Sequence, residues 1–484
     1  MHAEYLTHQG DDLKSNRVFL TLRQLNAAEL KRLSKFMQSP YFNQSKTLAK
    51  LCQAFIDLVL KGREGFVKEK VWAKVFGTKA YNDVSFRKAS SDLLELIEQY
   101  MSVEAYLDTP NRVQLDKLDY LSRHKVTVLY RNAVNDNLQL IQSRKYWTQK
   151  DYYDAYLFER KYHQLMNFDV KMSEKINIEK ISNYLDLFYL IDKLKLISNA
   201  LTQKLISAID YDLNEVEAVL ALCRKYPLND YPELAIYYHS YHTLTDGENL
   251  EHYYQLKSVL EQHAGEIPQR EGIEVFDTAL NYCIGRVNKG DKQFLQEYFD
   301  IFERAIEKGV FIVNGELAAW RFNNIVVTGL RLGKTDWAEA FVEQNKNLLP
   351  SESRNNMVKF NMARVYSYKK DFAQVLSLVR DIEYKDIIIN LISKTMIVFA
   401  YYELDEYDAL DSFIETFRTF INRRKDIRAN LKQGYLNLLG FVRKLTRIQP
   451  GDKAAVQKLR EEVMSIRTAT VNHEWLLEKL EELS

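Results

Sequence analysis

The chain is expected to be all-α, with antiparallel helical hairpins stacked as an α-solenoid behind a small helical N-terminal domain. Three observations predict this. Only 16 glycines and 7 prolines punctuate 484 residues, whereas a sandwich or barrel needs many such turns. Apolar residues recur at helical spacing along the chain, and no strand pair is convincing. Trp337, Phe372 and Tyr407 follow one another at intervals of 35 residues, each behind an acidic residue (Asp336, Asp371, Glu406) and between two helical stretches. An even repeat of that length is expected where one supersecondary unit stacks on its neighbour.

Residues 1–20 are polar and read as a flexible tail. A helix follows over Asn26–Gln38, with Leu30, Leu33, Phe36 and Met37 apolar, and Ser39-Pro40 ends it because the residue before proline is pushed out of the α region. A second helix is expected near 44–60, with Leu48, Leu51, Phe55, Leu58 and Val59 inward. KEKVWAKVFG (68–77) is a short amphipathic helix closed by Gly77. Asn82 or Asp83 then caps a longer one whose stripe is Phe86, Ala89, Leu93, Ile97 and Met101. Residues 21–108 thus form an N-terminal helical, helix-turn-helix-like domain, with Asp108-Thr109-Pro110 as its boundary. From 109 to 484 helix follows helix, broken at Pro227, Pro232, Gly247, Gly290, Gly309, Gly333, Pro350 and Gly451.

Composition narrows the function. Lys and Arg number 67 against 66 Asp and Glu, a net charge of +1, so the basic excess of a nucleic-acid coat is missing, although a local patch is not thereby excluded. Cys52, Cys223 and Cys283 lie far apart in no metal-ligand or disulfide spacing, which suits buried small residues in a reducing compartment. The first residues carry acids and no apolar core of a signal peptide, and no apolar run approaches a membrane span, so a cytoplasmic location is expected. No cofactor motif is found. GLRLGKT (329–335) is one residue short of the phosphate-loop pattern and has no strand before it. His239 and His242 share a helix face at i, i+3. A tyrosine–histidine packing layer is the expected role, with a two-ligand metal site as the alternative.

Aligned on their aromatics, three units match column by column: Val327, Met362 and Ile397; Thr328, Ala363 and Val398; Arg331, Tyr366 and Tyr401; and, in the second helix, Ala340, Val375 and Leu410. Stretches 241–263 and 285–309 read as further hairpins. The pattern resembles a degenerate tetratricopeptide-like repeat, clearest over about 320–420, with the small second-helix residue kept only as Ala340 and the closing proline nearly absent. The resemblance implies that first helices line a concave groove that grips a protein or peptide. Carried over residue by residue, it points to Arg364, Ser367, Tyr368 and Tyr402 as partner contacts. Trp337, Phe372 and Tyr407 are then structural aromatics of the inter-hairpin core.

Residues 68–101 also resemble the core of winged-helix domains. That resemblance implies duplex contact by Arg87 and Lys88 at the start of the second helix, with Lys68, Lys70, Lys74 and Lys79 on phosphates. Asp92, Glu95 and Glu98 on the same helix oppose it, and a helical cap explains the pattern equally. The final NHEWLLEKLEELS places Trp475, Leu476, Leu480 and Leu483 on an amphipathic helix that caps the array or, alternatively, pairs two copies as a homodimer. The reading is a non-enzymatic cytoplasmic scaffold or adaptor for a protein or peptide partner; the alternative is a transcriptional regulator with a DNA-reading N-terminal domain and a helical-repeat sensor.

Overall fold

A computed structural model describes residues 16–63, 66–169, 177–207, 209, 211–213, 215–380, 382, 384 and 386–484. Among these the α-helices are α1 (Arg17–Leu22), α2 (Ala27–Gln38), α3 (Lys46–Leu60), α4 (Lys68–Phe76), α5 (Asp83–Leu107), α6 (Pro110–Arg123), α7 (Thr127–Gln142), α8 (Gln149–Asp169), α9 (Ile178–Ser207), α10 (Val216–Cys223), α11 (Pro232–Thr245), α12 (Leu250–His263), α13 (Gln269–Asn288), α14 (Phe294–Glu307), α15 (Ala319–Arg331), α16 (Thr335–Asn345), α17 (Arg354–Tyr368), α18 (Phe372–Val379), α19 (Ile387–Glu403), α20 (Tyr407–Arg423), α21 (Ala429–Leu445), α22 (Lys453–Ser465) and α23 (His473–Glu482). The one sheet among the described residues is a two-residue antiparallel ladder, β1 (Ile312–Val313) on β2 (Glu316–Leu317). The all-α class follows directly.

Two compact units divide the chain: Met1–Arg144 with Tyr153–Leu185, and Lys145–Tyr152 with Asp186–Ser484. In the first, helix starts obey local capping chemistry. Asn26 accepts from the Ala28 and Glu29 amides while Glu29 reaches back to the Asn26 amide, a complete capping box. Ser45 and Asn82 cap α3 and α5 through the Leu48 and Ser85 amides. Gly77 ends α4 at φ +69, a conformation that costs other residues more. Leu30, Leu33, Leu51, Phe55, Phe86, Leu93 and Ile97 meet in one core. The expected tail needs correction at its end: residues 1–15 lie outside the described residues, but Asn16 caps α1, which buries Val18, Phe19 and Leu22. A single turn with three apolar residues is too short to stand out as a period. Helices α5 and α6 meet at Asp108-Thr109-Pro110, where the sequence places a boundary, yet α6 and α7 fall within the first compact unit.

In the second unit each helix from α10 to α23 packs on the next and, in α11–α13, α15–α17 and α17–α19, first helix packs on first helix. That is the nearest-neighbour pattern of stacked hairpins. The hairpin turns use left-handed backbone at Gly333, Lys370 and Asp405. These turns reveal a register different from the aromatic alignment. Phe372 and Tyr407 are the first residues of α18 and α20, whereas Trp337 is the third residue of α16. Helices α15, α17 and α19 end at Arg331, Tyr368 and Glu403. Counted from the turns, the buried second-helix column is Ala338, Val375 and Leu410, and Ala340 is exposed. The equal spacing of the three aromatics hides a two-residue slip between α15–α16 and the next hairpin.

Candidate functional site

The slip decides what each aromatic does. Trp337 stacks on Phe341 with ring centroids 5.1 Å apart, meets Phe299 edge-on at 4.6 Å, and donates its indole N–H to Glu303 at 3.1 Å. Its ring fills the place where a Cβ on Gly329 would stand, 2.9 Å from Cε3. Phe372 is half-buried. Tyr407 is 43% exposed and donates its hydroxyl to Asp405 at 2.7 Å. Trp337 therefore belongs to an inter-hairpin core, and Tyr407 does not: as the first residue of its helix it points along the turn.

The four residues assigned to a partner face different fates. Arg364, on α17, lays its guanidinium 5.2 Å from the Phe360 ring centroid. Its Nε is buried without a hydrogen-bond partner, and burial pulls its pKa down, opposed by Tyr368 and Tyr435. Arginine does not deprotonate under these conditions, so a cation in this setting favours an added anion. Tyr368 is 51% exposed and Ser367 half-buried. Tyr402 is turned against the chain itself. Helix α23 lies over α19: Trp475 stacks on Phe399 at 4.0 Å, meets Tyr402 edge-on at 5.2 Å, and donates to Glu403 at 3.2 Å. Lys479, nearly inaccessible, pairs with Glu403 and Glu482 at 2.8 Å. Burial, with Glu403 and Glu482 nearby, pushes the Tyr402 hydroxyl up to about 12. Leu476 and Leu480 are fully buried in the same cluster, so the apolar stripe read as a cap or a dimer seam is used within the chain.

A surface the sequence does not reveal opens on the facing sides of α13 and α15. It is a cavity of about 460 Å³ whose lining includes Asn281, Ile284, Trp320, Asn324, Val327 and Arg331. Trp320 is 55% exposed, yet it is held in place. The buried Arg321 guanidinium lies 4.3 Å from the Trp320 ring and 4.0 Å from the Phe311 ring. Two parallel 2.6 Å hydrogen bonds to Asp277 fix its plane. Such a fork stacks cation on π-face and orients the indole without using its outer face. Asp277 and Arg321 are 44 residues apart on different hairpins, and no local pattern links them.

The histidine layer is real and larger than expected. His239 Nδ1 lies 2.9 Å from His252 Nδ1, the His242 and His252 rings stack at 4.2 Å, and Tyr238 meets His242 edge-on. Burial and the neighbouring histidines lower the His239 pKa to about 4. Among the described residues no group of three or more His, Cys, Asp or Glu can hold a metal ion. GLRLGKT straddles the end of α15 and the Gly333 turn, with Lys334 Nζ 4.1 Å from the Phe299 ring; it is a hairpin turn behind a helix, not a loop behind a strand. Cys52, Cys223 and Cys283 are free and buried, and burial pushes each thiol up to about 12.

In the first unit, Arg87 bonds Asp83 one turn away, and Lys88 is exposed beside exposed Asp92, Glu95 and Glu98. No strand occurs among the described residues of this unit, so nothing there forms the wing of a winged helix. No helix is long and apolar enough to cross a membrane among the described residues.

No protein-family model matches the chain, and no curated protein does. One solved structure that resembles it is the "Crystal structure of APC/C hetero-tetramer Cut9-Hcn1", at 13% identity, 96% of this chain and 89% of that one covered, and a TM-score of 0.27. At that score the likeness carries no weight for fold or function.

Proposed function

We propose that the chain is a non-enzymatic cytoplasmic scaffold or adaptor that holds a protein or peptide partner on the first-helix side of its C-terminal hairpins. The observation that carries this reading is Trp320: an exposed indole, immobilised by a buried Arg–Asp fork, at the edge of a 460 Å³ cavity. Rigid, rimmed tryptophans are favoured anchors of interfaces because they bury a large area and lose little rotamer freedom on binding. Arg364 and Tyr368, on α17, would supply a second contact and favour an acidic partner segment, since a guanidinium whose buried Nε lacks an acceptor is better satisfied by a carboxylate than by water. Ser367 stands between them. Tyr402 drops out of this surface because Trp475 already covers it.

The test is affinity capture with the full chain, followed by re-binding of the purified captured protein. Trp320→Ala is expected to weaken that binding by about tenfold or more, the effect of losing a hot spot, and Arg364→Glu to weaken it further. Equal binding by wild type and both variants would remove this surface from consideration.

A further inference from the structure

The corner between α6 and α7, in the first unit, shows solvent what a folded chain ordinarily hides. Within ten residues Tyr120 is 59% exposed, Val128 72% and Leu129 56%, and Val126 between them is exposed as well. Apolar residues exposed singly are ordinary, but a cluster of them at one helix–turn–helix corner, rimmed by polar groups, marks an interaction surface. The rim carries one sign of charge. Arg123, His124 and Lys125 are all exposed on the turn, and no Asp or Glu stands between Asp119 and Asp136. Asp119 itself is engaged by Lys161.

The turn backbone supplies a second, independent observation. The Lys125 amide donates to the Ser122 carbonyl at 3.1 Å and the Val126 amide to the Leu121 carbonyl at 2.9 Å. Lys125 therefore closes the end of α6 in the left-handed region, at φ +57. Gly333 closes α15 with the same pair of bonds, to Leu330 and, through Lys334, to Gly329, and glycine is the residue this conformation favours. Where another residue stands in such a turn, its side chain is engaged. Asp405 accepts from Tyr407 at 2.7 Å, and Lys370 lies 4.0 Å from Glu478. Lys125, among the described residues, has no side-chain partner. A lysine held in a position that suits glycine, with its ammonium free, points to a use outside the fold.

We propose that this corner rests on an anionic lipid surface. Val126, Val128 and Leu129 would enter the boundary between headgroups and acyl chains, and Tyr120 would sit at headgroup level. Arg123 and Lys125 would lay their stems along the apolar residues and carry their charges to lipid phosphates. The contact is peripheral, a few aliphatic side chains deep. A lipid surface is favoured over a protein partner because the apolar side chains stand out from a turn instead of lining a groove, and a fluid interface receives them without a shaped pocket. A nucleic-acid backbone would use the cations and leave the aliphatic side chains in water.

Co-sedimentation of the full chain with vesicles of phosphatidylcholine alone, and of phosphatidylcholine mixed with phosphatidylglycerol, tests this. Wild type is expected to pellet with the mixed vesicles, far less with the neutral ones, and to be released as salt rises. Val128→Asp and Leu129→Asp are each expected to weaken binding by roughly tenfold or more, the share of one buried aliphatic side chain. Both positions lie in the first turn of α7, where an acid suits the helix dipole, so the loss reports contact and not folding. Lys125→Gly is expected to weaken binding by roughly fivefold, the share of one cation near an anionic surface, while its backbone keeps the turn. Val84→Asp, at the exposed start of α5 in the same unit, is expected to leave binding unchanged. Circular dichroism melting of each variant separates lost binding from lost folding. Absence of pelleting with mixed vesicles overturns the proposal, as does equal pelleting with both vesicle types. So does full binding by folded Val128→Asp or Leu129→Asp protein. A purified protein partner whose binding Val128→Asp abolishes, with no vesicle binding by wild type, overturns it in favour of a protein interface. None of these outcomes touches the Trp320 surface, which lies in the other unit.

Discussion

Hairpins α15–α16 and α19–α20 carry aromatics at one interval in sequence and use them in different ways. Counted back from their turns, Gly329 of α15 holds the place taken by Tyr366 in α17 and Tyr401 in α19. Counted forward, Trp337 of α16 holds the place taken by Gln374 in α18 and Ala409 in α20. The large ring enters from the second helix in one case and from the first helix in the others. In α15–α16 a glycine gives way to a tryptophan across the hairpin, whereas the Tyr401 ring of α19 meets Phe413 of α20 edge-on, 6.0 Å away. Tyr407, spaced as if it were the counterpart of Trp337, begins its helix and reaches solvent. Periodicity of a residue type marks where hairpins recur; the residue opposite determines which ring seals them.

The largest expected separation between the two hairpins comes from truncating the aromatics. Trp337→Ala should cost about 3–4 kcal/mol, the range for a large ring removed from a packed site, and Tyr407→Ala less than ~1 kcal/mol. Urea denaturation of both variants checks this, and similar losses would show that the shared spacing reflects a shared role after all. Gly329→Ala is expected to cost about 1–3 kcal/mol, because the new Cβ meets the indole at 2.9 Å. In a Trp337→Ala background the same change should cost little. If the two losses simply add, the glycine is not there to admit the ring.

A third hairpin, α11–α12, sharpens the contrast, since it closes on imidazoles where α15–α16 closes on an indole. His239 has a folded pKa of about 4 against an ordinary 6.5. Its folded state favours the neutral ring, so this contribution to stability is present above pH 6.5 and is lost as pH falls from 6.5 towards 4. Between pH 7 and pH 5 the wild type should lose about 1–2 kcal/mol that His239→Asn does not lose. Matching pH profiles for the two proteins would contradict a neutral, desolvated layer. Glu233, deeply buried and raised well above 4.5 by burial and by Glu271, carries the opposite sign, its contribution fading as pH rises.

Much of the fold could be read from local chemistry. The Asn26, Ser45 and Asn82 caps, the Gly77 and Gly333 stops and the apolar stripes of α2, α3 and α5 each depend on residues within one or two turns. What escaped detection depends on residues far apart in sequence or on a shift too small for spacing to register. Arg321 and Asp277 meet across hairpins, as do Trp475 and Phe399 across 76 positions. The two-residue slip at Trp337 leaves the aromatic interval intact while moving Ala340 to solvent. Of the proposed partner residues, Arg364 was legible as a charge on a first helix, but its missing acceptor was not; Tyr402 was legible as an aromatic there, but its cover of α23 was not. Trp320 leaves no signal in the sequence because one exposed tryptophan has no period.

The three cysteines have a use unrelated to any partner. Cys52 sits in the core of the first unit, and Cys223 and Cys283 sit on α10 and α13 of the second. Thiolate is the reactive form, and burial that lifts each thiol to about 12 keeps it scarce at neutral pH while the surrounding helices stay closed. Each sulfur is therefore a silent clock for its own neighbourhood. The rate at which an alkylating reagent reaches it under native conditions reports how often that part of the chain opens. Three native timers, one in the first unit and two in the second, allow breathing to be followed region by region without adding a single label.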